Sequence, residues 1–225
     1  MITEDLRQFI ESTLLVLAAL LPIVNPLGVA PVYLAKTVDL TPDEHAYLSR
    51  RVAINCFVLL LASLLVGAYV LDFFGLSVPI IQVAGGLVVC SLAWSLLNQP
   101  DEPLEWVHEA AKTLTRPDLR TRAFYPLTMP LAVGPGSISV AITIGANQSQ
   151  SVRSLIVNSA AHAVGILIVS IALFVVLRYA DTIVRRLGPT GTAVLLRLSA
   201  FILLCIGVQI TWNGASTLFR TLAFQ

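Results

Sequence analysis

The feature that most constrains this chain is an apolar segment, residues 9–35, that is long enough to cross a membrane but contains three prolines. An α-helix needs about 20 mostly apolar residues to span a bilayer. Pro22, Pro26 and Pro31 lie inside the segment. Each proline removes a backbone donor and crowds the carbonyl four residues earlier, at a cost of roughly 3 kcal/mol in a helix interior. The sequence therefore predicts a membrane-spanning helix that is broken or unwound near its centre.

The same interruption returns in the second half of the chain. Pro126, Pro130 and Pro135 repeat the spacing of the first three prolines 104 positions further on. An Arg-x4-Asn pattern also occurs twice, ending at Asn55 and at Asn158, with an offset of 103. Apolar segments interrupted by Gly and Pro at corresponding places in two halves are typical of secondary transporters, where they mark the binding site. The pattern predicts two structurally related halves.

The composition indicates a membrane protein. Apolar residues make up 56% of the chain and charged residues 12%, whereas an ordinary soluble domain carries about 25% charged residues. A net charge of +1, without a basic groove interleaved with aromatics, argues against nucleic-acid binding. Cys56, Cys90 and Cys205 lack the spacing of a metal site or a disulfide framework. We expect an integral membrane protein with no metal and no cofactor.

Six segments have the length and composition of a membrane-spanning helix, which predicts an all-α fold in a single domain, residues 1–225. A capping box from Thr41 to Glu44 begins the second helix, and Gly188 with Pro189 marks the turn before the sixth. The halves are repeat 1, about 9–98, and repeat 2, about 123–219, joined by a polar connector, 99–122, predicted to be an amphipathic surface helix. The predicted spans are 9–35, 52–71, 78–97, 124–146, 155–177 and 192–212.

The distribution of Lys and Arg predicts the orientation. Ten of these residues fall in the loops after the first, third and fifth spans, and three fall on the other side. Cytoplasmic loops carry the excess of Lys and Arg, so both termini are predicted to be periplasmic. Three crossings per repeat reverse the starting side of the second repeat. The six helices are therefore predicted to form two inverted three-helix repeats, with helices 1 and 4 broken by Pro and Gly.

Two stretches carry a family resemblance. The residues NPLGVAP at 25–31 and PLTMPLAVGPGSI at 126–138 resemble the two signature stretches of the MarC family of bacterial inner-membrane proteins, and the likeness covers nearly the whole chain. The resemblance implies a multi-pass protein of the bacterial inner membrane that transports a small solute. Some members of the family are described as transporters of small neutral amino acids, which supplies the substrate expectation.

The two breaks form the predicted binding site. The start of each half-helix after a break presents N–H groups with a partial positive charge, and freed carbonyls lie nearby, which suits a small zwitterion. Glycine lets a ligand approach the backbone. The alternative is that these prolines and glycines only kink and pack the helices. The predicted substrate-binding residues are Asn25, Pro26, Gly28, Pro31, Pro130, Gly134, Pro135, Gly136 and Ser137.

Polar residues inside the spans bear on coupling. Asn55, Asn158 and His162 are candidates either for coupling transport to an ion or for hydrogen bonds between helices, because lipid offers them no partner. No Asp or Glu lies deep in any predicted span. Proton coupling would need His162, sodium could be held by carbonyls and hydroxyls at the breaks, and facilitated diffusion needs neither.

The sequence thus predicts a secondary transporter of a small neutral amino acid. The expected partners are the lipid bilayer and a small-molecule substrate, with homo-oligomer formation left open. An enzyme is not expected. Ser137 and His162 could be imagined as a dyad, but no motif places them together and no carboxylate is available to orient the histidine. The alternatives are a non-transporting accessory protein, a membrane enzyme and a passive pore.

Overall fold

A computed structural model of the chain describes residues 2–98, 118–146 and 152–223, and the elements in these ranges are helical. Ala123–Ala132 forms a wide helical segment with two extended residues, between α5 and α6. In chain order the helices are α1 (Ile2–Val24), α2 (Pro26–Ala35), α3 (Pro42–Phe73), α4 (Val78–Leu97), α5 (Leu119–Arg122), α6 (Pro135–Ala146), α7 (Val152–Arg178) and α8 (Ala180–Ala223).

The all-α prediction is confirmed for the described part of the chain, and the number of spans is five or six. Five helical stretches there are long and apolar enough to cross a membrane. The sixth depends on a bent pair, Leu119–Ala132 and Pro135–Ala146, whose two parts meet at 73°. If this pair is one broken span, the count equals the predicted six.

Local signals in the sequence set several helix ends. The hydroxyl of Thr41 accepts a hydrogen bond from the backbone N–H of Glu44, and the Glu44 carboxylate accepts one from the N–H of Thr41, which confirms the capping box. Helix α4 has the predicted bounds, Val78–Leu97. Gly188 adopts φ 66° inside α8, a left-handed conformation that glycine tolerates, so the predicted turn is a kink at that residue. The predicted surface helix falls almost entirely on 99–117, outside the described residues.

The helices pack in pairs around an apolar core. Helix α1 lies against α7, α3 lies against α6 and α7, and α4 lies along α8. Lipid tails are as apolar as leucine, so close van der Waals packing, more than exclusion of water, stabilises these contacts in a bilayer. Fully buried core side chains include Val16, Leu20, Leu48, Val52, Leu60, Leu127, Ile166 and Leu173.

The longest helix contact, between α4 and α8, depends on two glycines. A Cβ on Gly86 would lie 2.3 Å from the Thr211 hydroxyl and 2.8 Å from the Gly207 carbonyl oxygen. A Cβ on Gly207 would lie 2.7 Å from the sulfur of Cys90. These separations leave no room for a side chain, so the two backbones touch directly, as small residues allow in membrane helices.

Candidate functional site

The first break is a single left-handed residue between α1 and α2. Asn25 has φ 46° and ψ 62°, and its side-chain oxygen accepts a hydrogen bond of 3.2 Å from the backbone N–H of Gly28. Pro26 follows as the first residue of α2. The residue before a proline is disfavoured in the right-handed helical conformation, and asparagine tolerates the left-handed one. The predicted break is therefore confirmed at Asn25, whereas Pro22 and Pro31 lie inside helices.

The second break is longer and has the same physical origin. Tyr125 and Met129 are extended, with φ near −120°, and each precedes a proline. Val133 is also extended, and α6 then begins at Pro135. The hydroxyl of Ser137 donates a hydrogen bond of 2.9 Å to the carbonyl of Gly134 in the first turn of α6. The predicted interruption of the segment 124–146 is confirmed.

The helices that follow the two breaks begin at positions whose separation differs from the spacing of the matching prolines. The half-helices begin at Pro26 and at Pro135, which are 109 positions apart, whereas the matching prolines are 104 apart. The difference arises because the second break includes a longer stretch of irregular backbone before its half-helix begins.

An ion pair ties the neighbourhoods of the two breaks together. The guanidinium of Arg122, at the end of α5, binds both carboxylate oxygens of Asp39 at 2.8 and 3.0 Å and also donates to the carbonyl of Lys36. A bidentate contact of this kind fixes orientation as well as distance. The loop after α2 is thereby attached to the segment that enters the second break.

A cavity of about 350 Å³, called here the break cavity, lies where the two breaks meet. Six of the nine predicted substrate-binding residues line it: Asn25, Gly28, Pro130, Gly134, Gly136 and Ser137. Pro26 and Pro31 are buried within α2, and Pro135 is exposed at the start of α6, so these three are not among its lining residues. The structure thus brings most of the predicted residues to one place, while their role in binding stays a prediction.

The three glycines of the break cavity are in different steric situations. A Cβ on Gly28 would lie 2.2 Å from the side-chain nitrogen of Asn25, so the glycine makes room for the Asn25 cap. A Cβ on Gly136 would lie 2.0 Å from a methyl of Val89, so that glycine allows α6 to approach α4. A Cβ on Gly134 would meet only the Pro130 carbonyl, at 3.5 Å. The space beside the Cα of Gly134 is therefore open toward the cavity, whereas the space beside Gly28 and Gly136 is filled by neighbouring side chains.

Several lining residues were not anticipated from the sequence. Lys36, one of the ten Lys and Arg residues that predict the orientation, lines the break cavity at the end of α2. Ser95 of α4 and Ser199 of α8 contribute hydroxyl groups, and Tyr125 lines the cavity from the second break. Single hydroxyls in apolar helices give no periodic signal, and their direction depends on how the helices pack. The remaining wall is mainly aliphatic.

The three polar candidates for coupling lie away from the break cavity. The side-chain nitrogen of Asn55 donates to the Thr128 hydroxyl at 3.3 Å, and the side-chain oxygen of Asn158 accepts from Ser12 and from Gln8, both at 3.0 Å. These are hydrogen bonds between helices, one of the two roles open to these asparagines.

His162 is buried in α7 and does not line the break cavity. Its Nδ1 has no hydrogen-bond partner among the described residues. No group of three or more His, Cys, Asp or Glu side chains arranged to hold a metal ion occurs within 2–98, 118–146 and 152–223.

These features define a class: an all-helical integral membrane protein in which two interrupted helices enclose a small, largely aliphatic cavity. Residues 10–219 match the family described as MarC family integral membrane protein, and the chain belongs to that family. It is 29% identical over 209 residues to the UPF0056 inner membrane protein MarC of Escherichia coli O1:K1 / APEC, covering 91% of this chain and 94% of the relative. The protein of the same name from Escherichia coli strain K12 shows the same identity and coverage. No solved structure matches the chain.

Proposed function

We propose that this protein is an inner-membrane secondary transporter and that the break cavity is its solute site. The observation that carries the proposal is that both interrupted helices deliver the starts of their half-helices, α2 and α6, to one cavity. Backbone that departs from a continuous helix at membrane depth is tolerated where it is buried in protein or lines a water-filled cavity. Broken helices that meet in this way are typical of transporter binding sites. The names of the relatives support the assignment to the inner membrane.

The packing pattern supports two related halves of opposite orientation. Exchanging the halves would turn the contact of α1 with α7 into that of the segment Ala123–Ala132 with α3, and the contact of α2 with α7 into that of α6 with α3. All four contacts are present. The two asparagines each bond the broken helix of the other half, although their partners Thr128 and Ser12 are not at matching positions. Asn55 in the first half bonds Thr128 in the second break segment, and Asn158 in the second half bonds Ser12 in the first broken helix. An inverted repeat accounts for both pairs of contacts.

The inverted repeat and the excess of Lys and Arg on one side predict the topology. A reporter fused after Gln225 is expected to be active only outside the cytoplasm, and one inserted in the connector, 99–122, only inside it. Paired phosphatase and fluorescent-protein fusions, which report opposite sides, check each position. Reversed labelling would contradict the orientation, and labelling of both positions on one side would contradict the inverted repeat.

The chemistry of the break cavity favours a small neutral amino acid. Its volume of about 350 Å³ is at the lower end of the range for small-molecule sites, about 300–1,000 Å³. The Lys36 ammonium and the positive ends of two half-helices favour a carboxylate. Backbone carbonyls and the hydroxyls of Ser95 and Ser199 suit an ammonium group, and aliphatic walls suit a short apolar side chain. Among the described lining residues there is no carboxylate that would pair with a cationic side chain.

Purified protein in liposomes is expected to exchange labelled alanine for internal alanine. Unlabelled glycine and alanine should compete well, while lysine and glutamate should compete poorly because the cavity offers no second charged partner. The exchange is measured with and without sodium and proton gradients, which identifies any coupling ion. Exchange that does not saturate with concentration would indicate a pore. Absence of amino-acid flux under every gradient, from protein that elutes as a single folded species, would refute the substrate proposal and favour an accessory role.

A further inference from the structure

A second cavity, of about 300 Å³, lies beside the break cavity and contains a cluster of uncharged polar side chains. We call it the amide cavity and define it by Gln82 of α4, Thr143 of α6, and Gln209 and Asn213 of α8. These residues lie in helices long and apolar enough to cross a membrane, or in the bent pair. Gln82 and Thr143 are half-buried, whereas Gln209 and Asn213 are exposed. Lipid offers no hydrogen bonds, so a cluster of polar side chains on such helices is expected to face protein, water or a ligand.

The polar side chains of the amide cavity form hydrogen bonds with one another, and some of their donors and acceptors form no side-chain hydrogen bond within the described residues. The side-chain nitrogen of Gln82 donates to the Thr143 hydroxyl at 3.3 Å, and that of Gln209 donates to the side-chain oxygen of Asn213 at 2.8 Å. Each of these contacts uses a donor of the glutamine. Both glutamine carbonyl oxygens and the Asn213 amide nitrogen have no side-chain bond within the described residues. The cluster presents acceptors and a donor, without charge, to whatever occupies the space.

The two cavities follow one another along the same helices. On α8 the break cavity is lined from Leu196 to Leu203 and the amide cavity from Ile206 to Asn213. On α4 the nearest lining residues are Val89 and Gln82, seven positions apart, which corresponds to about 10 Å along a helix. The cavities therefore occupy successive levels of the same four-sided space between the first broken helix, α4, α6 and α8.

One side chain lies against both cavities. Ile23, in the last turn of α1, is the residue that lines both cavities. It precedes the left-handed Asn25 by two positions, so a small change at the break would move this side chain. The Ser139 hydroxyl donates to the carbonyl of Ile81 at 3.1 Å and joins α6 to α4 next to the amide cavity.

We infer that the two cavities are opposite ends of one solute path, with the amide cavity as a second binding site and Ile23 as the side chain that divides them. The inference rests on the proposed transport function. The ligand class that fits four uncharged polar side chains is a small neutral or zwitterionic solute with hydrogen-bonding groups. Charge selection belongs to the break cavity, where Lys36 and the half-helix ends lie.

Cysteine labelling tests the path without requiring flux. Ser95→Cys lies in the break cavity, Thr143→Cys in the amide cavity and Ala62→Cys on the exposed face of α3 in mid-span. These three substitutions are small, and a fourth variant, Ile23→Cys, tests the residue that lines both cavities. The wild-type chain, with its three native cysteines, supplies the baseline. The probe is a small, membrane-impermeant, charged methanethiosulfonate, added to intact cells or to inside-out vesicles.

We expect Thr143→Cys and Ser95→Cys to be labelled from opposite faces, Ile23→Cys from both, and Ala62→Cys from neither. Labelling of Ser95→Cys and Thr143→Cys from the same face, or no labelling of Thr143→Cys from either, would overturn the path. Labelling of Ile23→Cys from one face only would overturn its place as the barrier. These readouts need no transport. Labelling from opposite faces without amino-acid exchange would therefore refute the proposed substrate but not the proposed path.

Protection from labelling tests the second binding site. Where alanine exchange occurs, alanine at concentrations that saturate it should slow the modification of Thr143→Cys, while the same concentration of lysine should not. Exchange without such protection would overturn solute binding in the amide cavity and leave the proposed transport function standing. Protection by alanine and lysine alike would overturn the neutral ligand class.

Discussion

Gly134→Leu is expected to reduce alanine exchange at least about tenfold while the protein still inserts and folds, since loss of 1.4 kcal/mol of solute binding corresponds to a factor of ten. The reason is the position of Gly134, where an added Cβ meets only the Pro130 carbonyl, at 3.5 Å. A leucine side chain therefore extends into the break cavity and takes space that a solute would occupy. Exchange in liposomes and the thermal unfolding midpoint in detergent are measured on the same preparation.

Two matched variants separate a binding role from a packing role. Ala146→Leu places the same side chain on an exposed position of α6, the helix that follows Gly134, and should leave both exchange and unfolding unchanged. Gly134→Ala adds one methyl and should give an intermediate rate. If the unfolding midpoint of Gly134→Leu falls in step with its activity, the glycine is structural and the proposed solute site loses its main support.

Gly86→Leu is expected to destabilise the protein more than any change at the break cavity. The new Cβ would lie 2.3 Å from the Thr211 hydroxyl and 2.6 Å from the Thr211 backbone nitrogen, and the backbone cannot yield as a flexible side chain does. Helix α4 must then separate from α8 along their whole contact. Overpacking of a well-packed core costs about 1–3 kcal/mol and occasionally more, and we expect a value at the upper end or failure to purify as a single species.

A control on the same helix distinguishes steric overlap from added volume. Ala84→Leu, two residues earlier on the exposed face of α4, should unfold at the wild-type temperature. Gel filtration and intrinsic-fluorescence melting compare the two variants. A Gly86→Leu protein as stable as Ala84→Leu would show that α4 and α8 are not in direct backbone contact, contrary to the structure.

The rule that a residue before proline avoids the helical conformation explains only part of the two breaks. It is obeyed at Tyr125 and Met129, which are extended, and at Asn25, which is left-handed. Leu21 and Ala30 also precede prolines, yet both lie inside helices. Five prolines in similar apolar surroundings thus behave differently, because packing of the surrounding helices decides where a local penalty of a few kcal/mol is tolerated.

Some residues of the candidate site can be recognised from the sequence, and others are placed there only by the packing of the helices. Asn25, Gly28 and Gly134 could be selected from the sequence because glycine, proline and asparagine have special backbone behaviour whatever their neighbours. Lys36, Ser95 and Ser199 could not, because nothing in the local sequence distinguishes a hydroxyl that faces a cavity from one that bonds its own helix. The place of the two serines in the site depends on the rotation of α4 and α8, which is set by the contact between Gly86 and Gly207, and the place of Lys36 depends on where α2 ends.

The sequence by itself determined the membrane location, the all-helical class, the capping box at Thr41, the bounds of α4 and the presence of two interrupted helices. These properties follow from hydropathy and from backbone preferences that act within a few residues. Only the tertiary structure decided that the breaks share one cavity and that α6 begins at Pro135. It also decided that the space beside Gly134 is open, whereas Val89 fills the space beside Gly136. Those properties depend on distances between side chains far apart in sequence, which no local pattern encodes.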